Sequence, residues 1–265
     1  MSKCLSLVQG YPPILAQVPV TRSYSAKVWQ RATPKRHDYV ILLLYLYIST
    51  LTRLSMKTKT AILLNLVLIV LVLYSWITMA SGNDTGTMLT DVRLRSLRYF
   101  TLDSNLLAAA SSIVAVYFLL FRKETMPIWA SSLKFAGTVS VSVTLLTVMV
   151  YLGPRFGYRA MLAGVNLHLH LTVPVLAILI FCVLEGSRTL PFGHTFLAVI
   201  PVLIYAAFYL GNILINGVGS GPTTNDWYGL LFMGMSWVPL VIAIFAAAAW
   251  ILAVILWKCG RLISL

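Results

Sequence analysis

The chain has 265 residues, of which 59% are hydrophobic and only 10% are charged. Soluble domains carry about 25% charged residues, so this chain has too little polar surface to cover a globule in water. The formal charge of +13 raises nucleic acid as a partner. The basic residues are spread over a tail and loops, however, and membrane topology explains that distribution more simply. The composition therefore predicts a multipass membrane protein and no nucleic-acid partner.

The first 55 residues differ from the rest of the chain. They hold seven Lys or Arg residues against one acid, Asp38, and their longest apolar run, 40–51, is too short to span a bilayer. Low acidity with Arg and Ser is typical of a cleaved targeting segment. The favoured alternative is an upstream extension, because Met56 stands directly before the first long apolar run and looks like a natural start. We predict that residues 1–55 form a disordered leader with little function.

Residues 56–265 contain apolar runs long enough to cross a membrane as helices. None alternates in the manner of a transmembrane strand, so the sequence predicts an all-α membrane protein, a six-helix transmembrane bundle. The predicted spans are 61–80, 97–121, 129–152, 165–184, 195–217 and 229–257.

The basic residues predict an orientation for this bundle. One side of the membrane carries eight of them and the other side five. This bias predicts a bacterial plasma membrane protein with both termini on the cytoplasmic side. The larger set is Arg53, Lys57, Lys59, Arg122, Lys123, Arg188, Lys258 and Arg261, and the smaller is Arg93, Arg95, Arg98, Arg155 and Arg159. Lys134, near the start of the third span, is expected to extend its ammonium group to the inner interface.

Two polar islands interrupt the apolar runs: YFTLDSN at 99–105 and NLHLHLTVP at 166–174. Polar side chains are costly at membrane depth, so each island is a candidate functional site. Each island lies at the start of its span, and both starts are on the same side of the membrane. Helical spacing places Thr101 and Asn105 on one face of the second span, and Asn166 and His170 on one face of the fourth span. A third polar stripe, on the fifth span, contains Tyr205, Tyr209, Asn212 and Asn216. We expect these stripes to line one outward-facing pocket.

A purely structural interpretation of these residues stays open. A Thr one turn into a helix is often a cap or bonds back to a carbonyl. A buried His or Asn often joins neighbouring helices, with a contribution of about 0.6 kcal/mol. Spacing alone does not separate these roles from catalysis.

The islands also carry a family resemblance, which covers residues 56–257. Phe100-Thr101-Leu102-Asp103-Ser104-Asn105 resembles the F-T-x-x-S-N signature of a prokaryotic six-span integral membrane family, and His170 to Pro174 is similar to its H-x-x-x-P signature. Asp103 stands where prokaryotic relatives often have an uncharged residue. That family is related to the androgen-induced and androgen-dependent membrane threonine hydrolases, which cleave fatty acid esters of hydroxy fatty acids. The resemblance implies that Thr101 is a nucleophile and His170 its partner.

The chemistry that these residues allow is ester hydrolysis without a cofactor. A Thr hydroxyl becomes an effective nucleophile when a neighbouring base takes its proton, and neutral His is the usual base. Asn105 or Asn166 is a candidate donor to the oxyanion, and Asn212 and Asn216 are candidate binding residues. No Cys pair has metal-ligand spacing, and no metal is predicted. The expected partners are membrane lipids, including a lipid ester substrate. The alternative is a non-enzymatic protein that binds or transports a lipid or a small solute.

Overall fold

The structure is a computed structural model, which describes residues 54–82, 93–121, 126–186, 190–220, 224–231 and 234–263. The predicted leader lies outside the described residues up to position 53. Over the described ranges the chain is helical, without strands, and contains six helices long and apolar enough to cross a membrane. This confirms the predicted all-α class. The six helices are α1 (Met56–Ala80), α2 (Phe100–Phe121), α3 (Ile128–Phe156), α4 (His168–Glu185), α5 (His194–Asn216) and α6 (Met235–Ile263).

The helix ends differ from the predicted spans where local chemistry overrides hydropathy. α1 starts several residues before the predicted position 61, because the Ser55 hydroxyl accepts a hydrogen bond from the Thr58 N–H and caps the helix. α6 starts at Met235 instead of 229. Residues 229–231 and 234 are not helical, and Gly229 and Gly234 have positive φ angles of 65° and 92°.

α3 is the central helix of the bundle and the most buried of the six. Its Phe135 ring stacks on Phe181 of α4, with ring centroids 5.1 Å apart. Close approach to α2 depends on Gly137, where a Cβ atom would lie 2.9 Å from the Ser111 hydroxyl oxygen. Small residues at helix contacts allow such packing in membranes. The polar face of α2 therefore meets α3 directly.

Lys134 does not extend to the membrane surface, and that expectation is wrong. The side chain is only 1% exposed. Its ammonium group donates to Asn65 Oδ1 and to Ser112 Oγ, both at 2.6 Å, and Asn65 Nδ2 donates to Glu185 Oε1 at 2.7 Å. A charge is tolerated at membrane depth when it is paired with polar groups. Because α1, α2 and α4 supply such groups at its level, Lys134 joins four helices inside the bundle.

The connectivity places both polar islands at one end of the bundle. α2 begins with the first island and α4 begins within the second. The loop at 224–231, between α5 and α6, lies at the same end, since the Tyr228 hydroxyl accepts a hydrogen bond from the Phe100 N–H at 2.8 Å. The Lys134 cluster lies toward the other end, near the close of α2 and the start of α3.

Candidate functional site

Thr101 and His170 contact each other in the bundle interior. Thr101 lies in the first turn of α2 and is 4% exposed, and His170 is 2% exposed. The distance from Thr101 Oγ1 to His170 Nε2 is 3.4 Å. That is a long hydrogen bond, of the kind common between a nucleophile and a base before substrate binds.

The other ring nitrogen of His170 is held by the backbone. His170 Nδ1 lies 2.7 Å from the carbonyl oxygen of Met161. A carbonyl oxygen only accepts, so Nδ1 carries a proton, and in the neutral ring the Nε2 lone pair is left facing Thr101. Met161 closes a short helix, Tyr158–Met161, whose Tyr158 packs against Gly153 of α3 and donates to the Met149 carbonyl at 2.7 Å. A carbonyl on this short helix therefore orients the imidazole.

Asn105 ties the two islands together. Its Nδ2 donates to the Thr101 carbonyl at 2.6 Å and to the Leu169 carbonyl of α4 at 3.0 Å. Residues His168–Thr172 form a π-helical turn, in which each carbonyl bonds the N–H five residues on. For Leu169 that residue is Pro174, which has no N–H. Asn105 supplies the missing donor, and its amide hydrogens are thereby used within the protein.

The other predicted binding residues do not line the cavity that Thr101 lines. Asn166 is fully buried, and neither its Oδ1 nor its Nδ2 has a hydrogen-bond partner within the described ranges. Asn212 donates to Asn225 Oδ1 at 3.1 Å, and Asn216 donates to Asn212 Oδ1 at 2.9 Å. Through these hydrogen bonds the two residues connect the end of α5 to Asn225 in the loop that follows. Neither residue lines the cavity beside Thr101. The fifth-span stripe thus divides, with its tyrosines facing the cavity and its asparagines facing the loop.

A cavity of about 90 Å³ reaches Thr101 from between α3, α5 and α6, with space for several water-sized groups. Thr101 lines this cavity and also contacts the imidazole of His170, which is not among the lining residues. Most of the wall is aliphatic. The polar lining residues are Thr101, Thr144, Thr147, Tyr151, Tyr205, Tyr209 and Tyr228.

Tyr228 is the functional candidate that spacing did not reveal. Its hydroxyl caps α2 by accepting a hydrogen bond from the Phe100 N–H. Desolvation raises the pKa of Tyr228 to about 12, although the hydrogen bond from the Phe100 N–H opposes this shift. The hydroxyl therefore keeps its proton at neutral pH and can donate into the cavity. The only sequence signal for it is an aromatic pair, Trp227-Tyr228, in a loop.

The loop that carries Tyr228 is fixed by side-chain hydrogen bonds. Asp226 accepts from the backbone N–H groups of Leu230 and Leu231, at 2.8 and 3.0 Å, and from the Tyr209 hydroxyl. The Tyr151 hydroxyl donates to the carbonyls of Tyr228 and Gly229, at 3.2 and 3.1 Å. These bonds hold the loop across the Thr101 end of the cavity.

Among the residues that the structure describes, no group of three or more His, Cys, Asp or Glu side chains is placed to hold a metal ion. The chemistry of the site is that of a hydroxyl, an imidazole, a phenol and an apolar cavity. Compared with protein-family models, with curated proteins and with solved structures, the chain gives no match.

Proposed function

We propose that this protein is a membrane-embedded hydrolase of lipid-like esters, with Thr101 as nucleophile and His170 as general base. The observation that carries the proposal is the ordered contact of Thr101 with His170, whose Nδ1 proton is committed to the Met161 carbonyl. The resemblance of both islands to the signatures of a prokaryotic six-span family, itself related to the threonine hydrolases, supports the same roles.

The proposed reaction has two stages. Thr101 Oγ1 attacks the ester carbonyl carbon while its proton passes to His170 Nε2. The Tyr228 hydroxyl donates to the oxyanion, which then collapses and expels the alcohol with the proton from His170. Water, deprotonated by His170, next attacks the carbonyl carbon of the acyl-Thr101 ester. The bond from that carbon to Thr101 Oγ1 breaks, His170 returns its proton to Oγ1, and the acid is released. Asn105 acts as a positioning residue, because both of its bonds join α2 to α4.

The site lies near the membrane surface in this proposal. Thr101 is in the first turn of α2, so at a rise of about 1.5 Å per residue its hydroxyl is only a few Å below the helix start. A lipid ester whose carbonyl rests at headgroup depth reaches that level without leaving the bilayer. We place this end of the bundle on the outer face of a bacterial plasma membrane, following the distribution of basic residues.

Labelling by a lipophilic fluorophosphonate tests the nucleophile. Purified wild-type protein in detergent should be labelled, Thr101→Ser should retain labelling, and Thr101→Ala should lose it. Thr138→Ala is the matched control, because it removes a buried hydroxyl that lies outside the cavity and donates, among the described residues, to the Lys134 carbonyl at 2.9 Å. Labelling that persists unchanged in Thr101→Ala excludes Thr101 as nucleophile. A wild-type protein that neither reacts with the probe nor hydrolyses lipid esters overturns the proposal.

A lipid-binding role without chemistry is the second candidate. It is favoured by the 3.4 Å contact, which is at the long limit of a hydrogen bond. Under this interpretation a nonhydrolysable lipid ether and the matching ester bind the wild type equally well, and the ester is recovered intact. Hydrolysis of the ester by wild type but not by Thr101→Ala separates the two functions.

A further inference from the structure

A second concavity is a groove of about 750 Å³. Phe100 and Tyr205 separate it from the cavity that Thr101 lines. These two rings, with centroids 5.0 Å apart, line both spaces and form the wall between them. The groove runs between the 3₁₀ turn Arg93–Arg98, α2, α3 and α5. Its volume falls in the usual range of about 300–1,000 Å³ for sites that bind small ligands.

The outer walls of the groove are apolar and exposed. Leu94, Ile204 and Phe208 have exposed fractions of 75%, 65% and 53%. Ile204 and Phe208 belong to α5, one of the helices that can cross the membrane. A groove that follows the lipid-facing side of such a helix is in contact with membrane lipid.

Three polar groups line this groove without partners elsewhere in the described ranges. The Ser140 hydroxyl of α3 is fully buried and has no hydrogen-bond partner. The Asp103 carboxyl is half-buried, and no described side chain pairs with it. Arg95 is exposed at the rim, also without a described partner, whereas Arg98 is held by the Tyr99 hydroxyl at 3.2 Å and lies over the Trp227 ring. An unsatisfied buried hydroxyl in a groove that a cation and an anion also line is costly in lipid and indicates a ligand with matching groups.

We infer that this groove binds a membrane phospholipid whose headgroup carries a primary ammonium next to its phosphate, as in phosphatidylethanolamine. Arg95 pairs with the phosphate, and Asp103 accepts hydrogen bonds from the ammonium. The Ser140 hydroxyl donates to an acyl ester carbonyl below the headgroup. The acyl chain lies along Leu107, Ile204 and Phe208. The bound lipid is distinct from any substrate, because Asp103 and Ser140 do not line the cavity that contains Thr101.

The presence of Asp103 selects among headgroups. A glycerol headgroup has a phosphate charge but no cation, so it leaves the carboxylate uncompensated. A choline headgroup has a cation without N–H donors, so it cannot form the hydrogen bonds that shorten and strengthen a charged pair. The ethanolamine headgroup satisfies both charged side chains at once.

Native mass spectrometry of the purified, delipidated protein tests this inference. The protein is incubated with equal amounts of phosphatidylethanolamine, phosphatidylcholine and phosphatidylglycerol of the same acyl chains, and each adduct is counted. The wild type should bind phosphatidylethanolamine about fivefold more than either competitor, the factor expected for one partly exposed charge pair. Equal adducts, or a preference for phosphatidylglycerol or phosphatidylcholine in the wild type, overturn the inference without any variant.

Variants then assign the contacts. Asp103→Asn should abolish the preference for ethanolamine over glycerol headgroups, and Arg95→Gln should reduce all three phospholipids. Ser140→Ala should weaken all three while the preference remains. Arg159→Gln, an exposed arginine outside the groove, is the control and should change nothing. An unaltered preference in Asp103→Asn assigns the headgroup contact elsewhere and overturns the inference. Ester hydrolysis is read separately, so failure of the proposed function leaves this test intact.

Discussion

At the scale of single residues, the site depends on a backbone carbonyl and on a loop tyrosine that the spacing of polar side chains in the sequence does not predict. Spacing predicted that Thr101 and His170 lie close together, and their atoms are 3.4 Å apart, whereas their catalytic roles stay predictions. The carbonyl of Met161, which orients His170, belongs to the backbone and leaves no mark in the sequence. Tyr228 contacts Phe100 across 128 positions, and only the fold brings them together.

Replacing Tyr228 by Phe tests the oxyanion donor. The change removes one hydroxyl and keeps the ring, so we expect kcat for ester hydrolysis to fall about 100-fold, the usual effect of losing one such donor. KM should change little. The measurement is steady-state hydrolysis of a lipid ester by purified protein, with thermal unfolding as a control for folding. An unchanged kcat in a folded Tyr228→Phe protein assigns the hydroxyl to capping α2 alone.

At the scale of helices, hydropathy was a good guide to where spans exist and a poorer guide to where they end. A run of about 20 apolar residues in a bilayer must satisfy its backbone hydrogen bonds internally, and a helix does so within one segment. The six helices were therefore predictable from hydropathy. The π turn at His168–Thr172 was not predictable, because it arises from Pro174 together with a donor from another helix, Asn105. Lys134 was misplaced for a similar reason, since its partners come from three other helices.

Gly153→Ala tests the link between α3 and the short helix Tyr158–Met161. A Cβ atom at Gly153 would lie 2.2 Å from Tyr158 Cε1 and 2.8 Å from the Val148 carbonyl oxygen, so both the Tyr158 ring and the backbone of α3 must shift. We expect the loss of His170 alignment to lower kcat roughly 10–100-fold. Gly211→Ala on α5 is the control, because a Cβ there meets nothing within 4 Å. Equal activities of the two variants would show that the Tyr158 contact does not position His170.

At the scale of the whole bundle, the Lys134 cluster connects α1, α2, α3 and α4 by hydrogen bonds among polar side chains. Lys134→Met keeps most of the side-chain volume but removes the charge that faces Asn65 and Glu185. We expect it to destabilise the folded protein by roughly 1–2 kcal/mol, the upper range for polar contacts between membrane helices.

A second substitution separates charge from packing in this cluster. Glu185→Gln in the Lys134→Met background removes the uncompensated carboxylate, so the double variant should be less destabilised than the sum of the two single variants. Unfolding in detergent with increasing denaturant measures all four proteins. Additive effects would show that Lys134 and Glu185 do not interact through Asn65.

The orientation of the bundle is open to a direct measurement. If both termini are cytoplasmic, a fluorescent protein fused after residue 265 should fold and fluoresce, and alkaline phosphatase fused there should be inactive. Lys258 and Arg261, near the end of α6, give the charge bias for this outcome. The opposite pair of signals would place the Thr101 end of the bundle in the cytoplasm.

The buried lysine also bears on how the chain enters the membrane during synthesis. Insertion of a single helix that carries Lys is unfavourable, by up to about 3 kcal/mol when the charge is central. Asn65 and Ser112 precede Lys134 in the chain, so both of its direct hydrogen-bond acceptors are made before α3 emerges from the ribosome. Glu185 is made later and completes the cluster. The order of the helices therefore allows the charged segment to leave the translocon in contact with earlier helices instead of alone in lipid.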